Sequence, residues 1–274
     1  VDFSLFSAVN VGGNVTFNRV GNGNVGLYNR GATVGGNFTY TSNSQSDVSI
    51  GNLSTSTIIA GTININSTHA APSLFEIQRI INQTGGGSIY INNSRGFNLT
   101  RDTLIADITL VEFGSSNFGT LYNCEIIGNT YISPATNSTN GYHTYVRSSV
   151  FNGEVRHYLA SSNNYYDSDA GTGNVYNGLV RYERTGSGTF SIGTVQNTYN
   201  GDVTLVDNNA TIARALFSAP SGSSLSMNGN TINFLTLNTP QLVVNEDVRI
   251  NNTLTFQSGK LTTDPLTPNA KIIF

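Results

Sequence analysis

Glu154, Arg156 and His157 are followed one repeat later by Arg181, Glu183 and Arg184, the strongest charged constellation in the chain. Carboxylates, guanidiniums and an imidazole on one surface can bind an acidic sugar and abstract a proton from it, with arginine steadying the charge that develops. The same residues can also form a ladder of alternating charge that keeps an outer face soluble at little energetic gain. The set holds no close Asp pair for glycoside hydrolysis and no aspartates arranged for metal-assisted lyase chemistry. His157 falls at an inward position, which suits a satisfied core or rim histidine better than a base. The constellation therefore reads as structural before it reads as catalytic.

Two other groups carry chemistry. Asp167, Asp169, Gly171 and Asn174, in Asp-Ser-Asp-Ala-Gly-Thr-Gly-Asn, alternate oxygen ligands around a permissive glycine in the manner of a calcium loop, but the distal bidentate Glu is missing. The competing reading is a solvated Asx-rich turn, so calcium stands as a conditional cofactor and no other is expected. Tyr142, Tyr145, Tyr158, Tyr165 and Tyr166 crowd one region together with Asn and Ser. Exposed, such rings make an adaptable contact surface for carbohydrate; buried, they stack in a core. His69 and His143 stand apart from any Cys, Asp or Glu at ligand spacing, which argues against zinc. Cys124 is the single cysteine, so there is no internal disulfide, and its neighbours Tyr122, Ile126 and Ile127 predict a buried, inert thiol.

The elements that position these residues are set by a seven-residue phrase. It reads Val-Gly-Gly-Asn-Val-Thr-Phe at 11–17, Val-Gly-Gly-Asn-Phe-Thr-Tyr at 34–40, Phe-Asn-Gly-Glu-Val-Arg-His at 151–157, Tyr-Asn-Gly-Leu-Val-Arg-Tyr at 176–182 and Tyr-Asn-Gly-Asp-Val-Thr-Leu at 199–205. Fainter copies start near Ile59, Gly85, Leu104, Ile126, Ser221, Val244 and Thr267, so twelve starts recur about every 23 residues. A fixed period of this size means a solenoid. Val, Ile, Thr, Tyr and Phe broken by Gly and Asn exclude helical repeats, and at about 3.3 Å per residue such a coil holds three short strands and three turns. The chain is therefore predicted to be all-β: a single-stranded, right-handed parallel β-helix of roughly 12 rungs, one continuous domain over residues 1–274.

Within the phrase, the fifth position (Val15, Phe38, Val155, Val180, Val203) and the seventh (Phe17, Tyr40, His157, Tyr182, Leu205) should face inward, and the sixth (Thr16, Thr39, Arg156, Arg181, Thr204) outward. The third-position glycine supplies a positive φ or a close backbone approach. Asn152, Asn177 and Asn200 can stack as an amide ladder. Regularity breaks at 72–83, which fits a short helical turn capped by Ser73 or a buried strand, and at 134–145 and 160–175, which read as long corner loops.

Charged residues make up 11% of the chain and the net charge is −3, so there is no basic field for nucleic acid. No run of 18 apolar residues exists to span a membrane. A solenoid end needs a cap, and the close on Ile272, Ile273 and Phe274 carries none. The expected partner there is the remainder of a longer repeat polypeptide.

The phrases Tyr-Asn-Gly-Asp-Val-Thr-Leu and Gly-Asn-Val-Thr-Phe, and the closing Val-Arg-Ile-Asn-Asn-Thr-Leu-Thr-Phe-Gln-Ser-Gly-Lys-Leu-Thr-Thr at 248–263, resemble the repeats of large secreted surface proteins of Bacteroidetes-type bacteria. Such proteins are similar in organisation to repetitive adhesins and are often type IX secretion cargo. The resemblance implies a secreted or cell-surface address and a structural, adhesive role, with surface glycans or other cells as partners. The alternative is a pectate-lyase-like β-helix enzyme acting on polysaccharide through Glu154, Arg156, His157, Arg181, Glu183 and Arg184.

Overall fold

The structure, a computed structural model, describes the whole chain except residues 1–2, 5–8, 20–24, 28–30, 43–46, 52–53, 69–73, 93–95, 114–118, 135–142, 161, 163, 189, 207–209 and 268–269. Every helix or strand among the described residues is a β-strand, and strand pairs with strand in parallel along the molecule. The result is a β-solenoid of about ten turns, with equivalent positions some 22–23 residues apart. The start near Thr267 contributes only the short strand Ile272–Ile273 rather than a full coil.

One coil shows the plan. Val155–Leu159 lies on the first face, Asn164–Asp167 on the second and Val175–Tyr176 on the third. Val180–Arg184 then returns to the first face, where Val155 meets Val180 and His157 meets Tyr182. Alternation along the strand decides burial, because successive side chains leave a strand on opposite sides. Val155, His157 and Leu159 are buried while Arg156 is exposed. Phe38 and Tyr40, Val180 and Tyr182, and Val203 and Leu205 are buried in the same way. In the first copy Val15 and Phe17 are only half-buried.

Like side chains pile on like inside. Phe151, Tyr176 and Tyr199 stack with ring centroids 5.0 and 5.5 Å apart and planes within 10°, an arrangement that adds about 0.5–1.5 kcal/mol per pair beyond burial.

Two corners hold the coils in register. At the turn into the first face, a Cβ on Gly153, Gly178 or Gly201 would stand 2.7, 2.7 or 2.6 Å from the carbonyl carbon of the glycine one coil below. None of these three has a positive φ, so close approach explains the glycine there. Beside them Asn177 donates its amide to Asn152 at 2.6 Å and Asn200 to Asn177 at 2.7 Å, forming the exposed ladder the spacing implies.

The corner between the second and third faces is left-handed. Arg79, Arg101, Asn123, Ser148 and Ser168 take φ values of 54, 59, 56, 51 and 59°, a conformation that costs a side-chain-bearing residue about 1–2 kcal/mol. Each amide of the first three reaches the next coil, Arg79 to the Thr100 carbonyl at 2.9 Å and Arg101 to that of Tyr122 at 3.0 Å. Just inside, polar side chains cap the neighbouring coil's amides: Asn197 accepts from the Asn174 amide and Asn174 from that of Ser149, both at 2.9 Å.

One local alternative is decided and one local reading changes. Residues 74–82 form the strands Leu74–Gln78 and Ile80–Asn82 with Phe75, Ile77 and Ile80 fully buried, so the apolar content wins over the helical cap; Ser73 lies outside the described residues. The supposed loop at 160–175 contains a second-face strand, Asn164–Asp167, with Tyr165 and Asp167 inward. Among the described residues no helix is long and apolar enough to cross a membrane.

Candidate functional site

The charged constellation divides between two sides of one strand pair. Arg156 Nη2 lies 2.7 Å from Glu183 Oε2, and Arg181 Nε lies 3.2 Å from the same oxygen. Burial pushes the Glu183 carboxyl up, but hydrogen bonds and charge from Arg156 and Arg181 overcome that and leave it below the usual carboxylate range. Glu154, Arg156 and Arg181 line an outer recess of about 390 Å³ with Tyr131 and Leu179. Arg184 instead donates to the Gly188 carbonyl at 2.9 Å. His157 is on the inside, fully buried, as its inward position requires. The Glu183 carboxylate is thus held as the shared partner of two cations, which is the geometry of a charge ladder.

Asp167 and Asn174 meet in the core, and Asp169 stands apart from them. Asp167 is fully buried, and its carboxylate accepts from Tyr182 (2.5 Å), Asn197 (2.7 Å), Tyr176 (2.8 Å) and Asn174 (2.5 Å). Asn174 is buried too, whereas Asp169 forms an outer fork with Arg147, at 2.5 Å from Nε and 2.8 Å from Nη2. The solvated-turn reading therefore gives way for Asp167 and Asn174, because both are buried and protein donors occupy their oxygens. Among the described residues no group of three or more His, Cys, Asp or Glu side chains is placed to hold a metal ion.

The buried network has a fixed direction. Because the Asp167 carboxylate only accepts, Tyr176 donates to it, so the Tyr176 oxygen is left to accept from His157 Nε2 at 3.2 Å, and Tyr165 donates to Nδ1 at 2.5 Å. Burial pushes the Tyr165, Tyr176 and Tyr182 phenols up, with the Asp167 charge adding to it, so all three stay protonated donors. Burial lowers His157 to about 3, keeping it neutral. Cys124 is likewise buried and its thiol pushed well up by desolvation and by Asp102, which makes it the inert cysteine its neighbours implied, although Tyr122 and Ile127 themselves are exposed.

Of the five tyrosines, two build a surface. Tyr145, in His143–Arg147, pairs in register with Tyr166, in Asn164–Asp167, and their rings stack at 5.2 Å and 13° on the outside of the second face. His143 tilts against both, at 5.8 and 5.3 Å, and the Arg147 guanidinium sits 4.0 Å over the Tyr145 ring. Tyr122, 39% exposed, is the register partner of Arg147 one coil below. Tyr165 is core, Tyr158 stands on the first face beside Arg156 and Thr185, and Tyr142 lies outside the described residues. The sequence reading missed His143, Arg147 and Tyr122. The alternation His-Thr-Tyr-Val-Arg carried the signal, since it puts residues 143, 145 and 147 on one side of a strand.

Comparison with family models, with curated proteins and with solved structures finds no match.

Proposed function

We propose that this chain is a stiff, non-catalytic β-solenoid segment of a secreted or cell-surface protein and that its second face holds glycans. The observation that carries this reading is the outward pair Tyr145 and Tyr166, kept parallel by strand register and edged by His143 and Arg147. The two rings face one another, so the pair presents its apolar edges and phenol rim to a sugar, at low ordering cost because β-register has already fixed the rings. The charged first face supports a structural role, since Glu183 is engaged by two arginines and His157 is sealed inside.

The test is binding and turnover on a panel of neutral and acidic polysaccharides. The expected result is retention without chain cleavage, reduced roughly tenfold or more by Tyr145→Ala with Tyr166→Ala while the far-UV circular dichroism stays unchanged. Cleavage that disappears in Arg181→Ala would instead establish the lyase-like alternative.

A further inference from the structure

The left-handed corner below the tyrosine platform is an open groove of about 660 Å³, lined by Arg79, Arg101, Asn123 and Ser148 from four successive coils. Its two arginines come from adjacent coils, and the Arg101 guanidinium makes no hydrogen bond or ion pair among the described residues. Arg79 reaches the Ser54 carbonyl at 3.3 Å through Nη1, but its Nε is buried without a partner. Both occupy a backbone conformation that Asn or Gly would take with less strain, as Asn123 does one coil further on. A strained position kept by a residue unsuited to it points to work for the side chain itself.

The acidic groups nearby do not cancel the pair. Glu125 lines the groove and is exposed, Asp102 is buried and accepts from the Ile80 amide at 2.7 Å, and Asp169 is already forked to Arg147. Asp102 also lines the groove, but its carboxyl is buried and pushed well up by desolvation, which leaves two guanidiniums facing one solvated carboxylate, with Asn123 and Ser148 as neutral donors beside them. The groove adjoins the platform along the chain: Asn123 and Ser148, which line it, directly follow Tyr122 and Arg147. From the coil of Arg79 to that of Tyr166 is four strand steps, roughly 19 Å at about 4.8 Å each.

Resting on the glycan reading above, we infer that groove and platform form one strip for an acidic glycan, uronate- or sulfate-bearing, lying along the solenoid axis with its anionic groups on Arg79 and Arg101 and its sugar rings against the outer edges of Tyr145 and Tyr166. Forked guanidiniums suit planar carboxylates and sulfates.

Polygalacturonate and a neutral galactan of similar length, titrated against the full chain, test this. The wild type should prefer the polyuronate, and the preference should weaken as salt rises. Arg79→Asn with Arg101→Asn should lower polyuronate affinity by about tenfold or more and leave galactan binding unchanged. Because Asn accepts the left-handed backbone, the variant should melt no lower than the wild type, which separates lost contact from lost fold. Equal binding of both polymers, abolished by Tyr145→Ala with Tyr166→Ala, would sink the acidic-strip inference and leave the glycan reading standing. Retention of neither polymer would remove the glycan reading itself.

Discussion

His157 reports the state of the core through its own titration. It lies stacked on Tyr182 at 4.9 Å and held between two phenols, with its folded-state value near 3 because burial penalises the cation. The unfolded chain binds that proton near pH 6.5, so the histidine's contribution is complete above 6.5 and is lost progressively as pH falls toward 3. The full span is worth roughly 4–5 kcal/mol at 1.36 kcal/mol per unit. Asp167 works in the opposite sense, since burial raises its carboxyl and the cost of ionising it grows as pH rises through that raised value. His157→Phe keeps the stack but cannot titrate. Denaturant titrations between pH 7 and 4 should show the variant about 1–3 kcal/mol less stable at pH 7, with a flatter loss on acidification. Parallel pH profiles for the two proteins would contradict a neutral, buried imidazole.

At the scale of the strand and corner, one repeat position behaves differently in different coils. Gly178→Ala would drive a methyl into the backbone of the coil below, where no side chain can move aside, and should cost at least about 2–3 kcal/mol. Gly13 occupies the same place in the phrase but has nothing within 4 Å of its would-be Cβ. Gly13→Ala should be neutral or stabilising by up to about 1 kcal/mol. Thermal melts of the two variants check the pair, and equal melting points would mean that close approach is not what selects glycine. The strands were legible because Val-Thr-Phe alternation prescribes burial with no outside information, and the Asn152–Asn177–Asn200 ladder followed from the period. The left-handed corner was not, since Arg79 and Arg101 contradict local preference and only coil-to-coil hydrogen bonding compensates them. The burial of Asp167 was not legible for a related reason: it enters the core where four donors meet it, from Asn174, Tyr176, Tyr182 and Asn197, a convergence invisible until the coils are stacked. The platform lay between these cases, with Tyr145 and Tyr166 marked as contact residues but not yet distinguished from Tyr165.

Across the whole molecule, each coil is stabilised by the coil above and the coil below, so energetics should follow a chain of nearest-neighbour contacts rather than one indivisible core. Thr103 pairs with Glu125 and Leu104 with Ile126, which means that removing residues 104–125 joins Thr103 to Ile126 at equivalent points of adjacent coils. In a globular domain, loss of buried Leu104, Ile108, Leu110 and Leu121 together would abolish folding. Here the flanking coils present matching Ile89 and Thr130, Ile91 and Ile132, along the same inward columns, and can close on one another. The shortened protein should keep its β circular dichroism and a cooperative melt, and small-angle scattering should give a rod shorter by about 4.8 Å. Tyr145 and Tyr166 remain on it, so neutral glycan binding should persist, while Arg101 moves one coil nearer the platform and the best-bound acidic oligosaccharide should become shorter. An aggregated or unfolded deletion product would show that the coils depend on more than their immediate neighbours, and the nearest-neighbour account of this solenoid would fail with it.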